Sequence, residues 1–155
     1  RYLLVLDDVW NEDKEKWLHL KKYLMCGTQG SKILLTTRNE MVAKKMGVKT
    51  SYPLKGLTND QSWTLLRSLA FDENQIITQK LESIGQKIAE KCAGVPLAIR
   101  VMGSLLQSKS RRSDWEAILE GDFWKSREGD NSIMPILKLS YDNLAMELKQ
   151  CFAYC

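Results

Sequence analysis

Little histidine, little proline and no long run of charge of either sign mark this chain of 155 residues, whose one imidazole belongs to His19. A single histidine cannot complete a tetrahedral metal site with Cys151 and Cys155, which share a helical face but need two further ligands. Nor does anything place His19, on the polar side of a helical pattern, beside a cysteine for nucleophilic chemistry. The four cysteines, Cys26, Cys92, Cys151 and Cys155, sit where helix ends or buried helix faces are expected, and read as core thiols of a reducing compartment. Charge is balanced, with 23 basic and 19 acidic residues leaving +4. The densest basic cluster, Lys109, Arg111 and Arg112, has no interleaved aromatics, so no nucleic-acid partner is expected. A signal peptide and an apolar stretch of about 18 residues are both missing, so no membrane is indicated and a soluble protein is expected. None of the nine glycines opens a G-x-x-x-x-G-K-[ST] pattern, the nearest approach being GTQGSK from Gly27 to Lys32. The usual backbone cradle for phosphates is therefore absent from these residues.

What the chain does have begins at once. Leu3, Leu4, Val5 and Leu6 form a continuous apolar run that stops at Asp7 and Asp8. A run this short fits a strand buried on both faces, with its acids at the carboxyl end, where open parallel sheets place their ligand crevice. Such a pair suits a hydrated magnesium ion: one carboxylate holds the cation while its neighbour orients a water. By itself the run is equally a strand entering an acidic turn. A second strand is expected over Lys32 to Leu35, ending in Thr36, Thr37 and Arg38, and a parallel pairing brings two acids, two hydroxyls and a guanidinium to one crevice. There the arginine fork matches phosphate oxygens. Taken alone, Thr-Thr-Arg is a turn with a solvated cation.

Helical spacing of Trp17, Leu20 and Leu24 between Lys14 and Met25, with Lys16, Lys21 and Lys22 on the other side, supplies the crossover of a βαβ unit. Tyr52, Pro53 and Leu54 suggest a last short strand. Beyond them the period becomes helical. Thr58 and Gln61 form a capping box ahead of Trp63, Leu66 and Ala70; Leu81, Ile84, Ile88 and Cys92 form a seam closed by Gly94; Pro96 opens a helix apolar almost all round, through Leu106. Ser113 and Glu116 are expected to cap a fourth helix carrying Trp115, Ile118 and Leu119. Ile133, Ile136, Leu137 and Ser140 then share a helix, Tyr141 to Asn143 turn, and Leu144, Leu148, Cys151 and Cys155 line another.

Four segments, LLVLDDVW from Leu3 to Trp10, GSKILLTTR from Gly30 to Arg38, CAGVPLAI from Cys92 to Ile99 and LKQCFAYC from Leu148 to Cys155, occur in this order. Together the chain resembles the NB-ARC region of plant intracellular immune receptors of the coiled-coil, nucleotide-binding leucine-rich-repeat type. The resemblance implies an α/β then all-α architecture: a partial parallel-sheet P-loop-type nucleotide-binding domain over residues 1–56, a helical bundle over 57–128, and the start of a winged-helix domain over 129–155. It implies Walker B for Asp7 and Asp8, with Asp7 as the magnesium ligand and Asp8 as the catalytic carboxylate. Thr37 and the sensor Arg38 would contact nucleotide, and Gly94, Pro96 and Leu97 would face the base. On local physics alone the Gly94 to Leu97 segment is a helix stop and start. Family patterns carry leucine where this chain has Val95, and proline where Ala145 follows Leu144, which loosens that turn.

The function implied is a cytoplasmic ADP/ATP-dependent switch, at most a slow ATPase, using ADP or ATP with Mg2+. Its partners would be coiled-coil and leucine-rich-repeat domains flanking it in a longer parent, and an oligomer would form on activation. Opening on an apolar strand and closing at Cys155 within a helical pattern, the chain is expected to be a fragment. The alternative is a helical protein-interaction module carrying an inactive remnant of a nucleotide site. A metal-dependent hydrolase built on Asp7 and Asp8 would want further carboxylates or histidines at other strand ends.

Overall fold

Aliphatic runs bounded by turn residues form the two strands, β1 over Leu3–Leu6 and β2 over Lys32–Leu35. The computed structural model describes residues 1–48, 51–72, 75–126 and 133–154. The strands pair in parallel, Leu3 opposite Lys32 and Leu6 opposite Leu35. Helix α1, Lys14–Leu24, connects them. Asp13 caps it, its carboxylate accepting from the amides of Glu15 at 2.9 Å and Lys16 at 3.3 Å, while Lys21 and Lys22 complement the dipole in the last turn. A short helix that the sequence pattern did not announce, α2 over Glu40–Lys45, starts at Asn39, whose side chain accepts from Met41 at 2.8 Å. It buries Val42 and Ala43, and the Trp17 indole N–H donates to the Met46 carbonyl at 2.9 Å, tying α1 to the end of α2.

Two expectations for this part fail. Burial along β1 alternates, Leu4 and Leu6 being half-buried while Leu3 and Val5 are exposed, because among the described residues the sheet has two strands and one face is left open. Tyr52, Pro53 and Leu54 form no strand: no ladder partner reaches them, and Pro53 has no N–H to offer one. The chain divides into two units, Arg1–Leu54 and Lys55–Cys155.

The second unit is helical: α3 over Asn59–Ala70, α4 over Gln79–Lys91, α5 over Pro96–Gln107, α6 over Arg112–Glu120, a 3-10 turn over Asp122–Ser126, α7 over Met134–Asp142 and α8 over Met146–Tyr154. The expected capping box is present: Thr58 accepts from the Gln61 amide at 3.3 Å and Gln61 accepts from the Thr58 amide at 3.0 Å. Helix α5 is the centre, packed on α3 and α7, with α4 against α3 and α6. Leu66, Ile88, Ile99, Met102, Leu106, Trp115 and Ile136 are shut off from solvent, each contributing about 1.5–3 kcal/mol of apolar burial. Gly85 lets α4 approach closely, since a Cβ there would lie 2.4 Å from the Trp63 ring.

Helix α6 starts two residues earlier than its proposed cap requires. Ser113 lies inside its first turn, Arg111 caps it without a side-chain bond, and Glu116 instead takes Arg112 at 2.8 and 2.5 Å, so the Ser113–Glu116 box is not formed. The common reading of the cysteines as core thiols holds for Cys92 alone; Cys26 follows the end of α1 and Cys151 lies on α8, and both are exposed. Cys155 lies outside the described residues. The α8 seam likewise stays largely open, Leu148 and Cys151 being exposed, while the neighbouring Phe152 meets the Tyr141 ring at 5.4 Å. No helix of the described residues is long and apolar enough to cross a membrane.

Candidate functional site

The equal ends of the two strand runs place Thr36 beside Asp7, since Leu6 lies opposite Leu35 in the ladder. Thr36 then grips the acidic turn with both its backbone and its side chain. Its amide donates to the Leu6 carbonyl at 2.9 Å, and its carbonyl accepts from Val9 at 2.9 Å. Its hydroxyl accepts from the Asp8 amide at 2.9 Å and donates to Oδ1 of Asp7. The turn closes because Asp8 adopts φ 50°, a left-handed conformation that aspartate tolerates better than most residues.

Arg38 meets Asp8, Nε standing 3.2 Å from Oδ1. The guanidinium and carboxylate side chains are 89% and 59% exposed, so the pair is worth at most about 1 kcal/mol and its arginine is free to exchange partners. Asp7, Asp8 and Arg38, expected at one strand edge, come together there. Thr37 has a different neighbour: its hydroxyl accepts from the Asn39 amide at 3.2 Å, shaping the entry to α2. The hydroxyl that touches a carboxylate, that of Asp7, belongs to Thr36. Strand register would have identified it, had the pairing been known.

A second contact missing from the sequence analysis braces the loop beyond. Glu12 accepts from Lys45 at 2.7 Å and from Asn39 at 3.0 Å, linking the segment after Asp8 to α2. The hydrogen bond and charge of Lys45 hold the Glu12 carboxyl below its ordinary value of 4.5, the Asn39 bond adding to this. Asp8, Val9, Trp10 and Asn11 line an open depression of about 470 Å³ on this side.

The donor set is all oxygen, which fits Mg2+, a cation that takes one or two carboxylates and completes its shell with water and phosphate. Oδ2 of Asp7 has no hydrogen-bond partner among the described residues and is the atom available to hold it. Those residues contain no cluster of three or more His, Cys, Asp or Glu side chains that could hold a metal ion. External oxygens are therefore required.

Gly94, Pro96 and Leu97 lie in the second unit. Ala93 and Gly94 both have positive φ, 52° and 71°, which ends α4 and reverses the chain into α5. The Gly94 carbonyl accepts from Leu57 at 2.9 Å, and a Cβ on Gly94 would fall 2.4 Å from the Leu57 carbonyl oxygen. Pro96 is the first residue of α5, and both it and Leu97 are exposed.

Residues 1–76 match the NB-ARC domain family. The whole chain is 43% identical over 155 residues to the disease resistance protein RGA2 of Solanum bulbocastanum. It is 35% identical over 161 residues to the disease resistance protein RPM1 of Arabidopsis thaliana. It spans 16% of the first relative's length and 17% of the second's.

Proposed function

We propose, from the premise that this chain is an NB-ARC segment of the nucleotide-binding leucine-rich-repeat disease resistance type, that it is the central part of an ADP/ATP-dependent switch in a plant immune receptor. The observation that carries the reading is the convergence of Asp7, Asp8, Thr36 and Arg38 at the carboxyl ends of two parallel strands. Asp7 offers a carboxylate oxygen for Mg2+, which when bound neutralises phosphate charge. Asp8, displaced from the strand by its left-handed turn, presents a second carboxylate for orienting water. Arg38, weakly held by Asp8, can turn to a terminal phosphate and so distinguish ATP from ADP. Within the same proposal Thr37 contacts nucleotide, and Gly94, Pro96 and Leu97 serve the base. Turnover is slow, since a switch acts by occupying states.

The parent would be cytoplasmic, with coiled-coil and leucine-rich-repeat domains flanking this segment, α7 and α8 beginning a winged-helix unit, and an oligomer forming on activation. The decisive experiment replaces Arg38 with Ala in the full-length protein and compares affinities for ATP and ADP. Loss of one charge-assisted contact to the terminal phosphate should reduce the ATP/ADP preference about tenfold or more. An unchanged preference removes Arg38 from the sensor role.

A further inference from the structure

We propose that Thr36 is a positioning residue: its hydroxyl selects which oxygen of Asp7 faces a cation and holds Asp8 in its left-handed turn. The proposal rests on the reading of Asp7 as a magnesium ligand. A carboxylate at a solvent-exposed strand end rotates freely unless one oxygen is restrained. Here Oδ1 of Asp7 receives the Thr36 hydroxyl proton, leaving Oδ2 as the presented atom. The same hydroxyl oxygen accepts the Asp8 amide at 2.9 Å, so one group orients one acid and stabilises the strained backbone of the next, at φ 50°. Its own position is set by backbone bonds on both sides, from its amide to Leu6 and from the Val9 amide to its carbonyl, each 2.9 Å. A residue held that rigidly transmits the sheet's register to the acids. Thr37, one position on, is engaged with Asn39 and cannot do this.

Valine at position 36 preserves shape, β-branching and both backbone bonds while removing both side-chain bonds, and serine restores the hydroxyl alone. The test uses the full-length protein with Thr36→Val and Thr36→Ser, measuring ADP affinity with Mg2+ and with EDTA. Hydrogen–deuterium exchange is read in parallel on the peptide spanning residues 6–10 without nucleotide. Loss of an outer partner of a metal ligand typically costs about 10–100-fold in metal affinity. Thr36→Val should weaken the Mg2+-dependent part of binding by roughly tenfold, the lower end of that range, leave the affinity in EDTA unchanged, and speed exchange at Asp8. Thr36→Ser should recover both readouts. If Thr36→Val keeps the parental Mg2+ dependence or exchange, or Thr36→Ser fails as Thr36→Val does, the proposal is overturned. Asp7→Asn separates the two levels. Should it leave Mg2+ dependence intact, the metal reading itself falls; should it abolish that dependence while Thr36→Val does not, only the positioning role falls.

Discussion

Replacing Gly94 with alanine should destabilise the helical unit through backbone geometry alone. At φ 71° an L-residue incurs about 1–2 kcal/mol. The added Cβ would sit 2.4 Å from the Leu57 carbonyl oxygen and 3.0 Å from its amide nitrogen, so backbone rather than a flexible side chain must retreat. That retreat lengthens the bond from the Leu57 amide to the Gly94 carbonyl, now 2.9 Å, at a further cost of about 1 kcal/mol. The sum, about 2–3 kcal/mol, less about 0.4–1 for the stiffer unfolded chain, leaves about 1–2.6 kcal/mol, a large fraction of the 5–15 kcal/mol typical of a folded domain. Its neighbour supplies the control. Ala93 already sits at φ 52°, so Ala93→Gly relieves about 1–2 kcal/mol of strain. Greater freedom of the unfolded chain returns about 0.4–1, for a net stabilisation of about 0.5–1 kcal/mol. Urea unfolding followed by far-UV circular dichroism, with midpoints compared at constant slope, measures both. If Gly94→Ala stays within about 0.5 kcal/mol of the parent, or Ala93→Gly destabilises, the account of this corner is wrong.

Leu106→Ala empties a site with no solvent exposure in the last turn of α5 and should cost about 2–5 kcal/mol in thermal or urea unfolding. Leu97→Ala, on the same helix but 52% exposed, should cost less than about 1 kcal/mol. Glu12 gives a pH signature. Lys45 lowers its folded pKa below 4.5, so its stabilising contribution is complete above that value and is lost as pH falls through the lowered one. Amide exchange in α2 should therefore accelerate on acidification across that window in the parent, whereas in Glu12→Gln the step from this group should disappear. A step of equal size in that variant would assign it to another carboxylate.

Local patterns carried much of the architecture. The Thr58–Gln61 capping box, the Leu81 to Cys92 seam, the proline start of α5 and the two strand runs follow from interactions within one or two turns of chain, or from strand periodicity, and each appears at its expected place. Where a competing local bond exists, the pattern misleads. Arg112 takes Glu116 and the helix starts early, leaving Ser113 without a capping role. Exposure is less legible still, because an apolar residue carries no record of whether a neighbour covers it. Leu3, Val5, Cys26 and Cys151 were expected inside and lie outside.

The amino-acid order alone determined that acids end one strand, that hydroxyls and a guanidinium end another, and that helices with apolar stripes follow, since these depend on short-range periodicity and side-chain chemistry. Tertiary pairing decided which of two adjacent threonines meets the acids. The register of Leu6 with Leu35 is a long-range hydrogen-bonding choice, and a shift of one residue would hand Asp7 a different neighbour. It also decided that Asp8 turns left-handed toward Arg38, because only a closed loop with Thr36 bonded on both sides stabilises that strain.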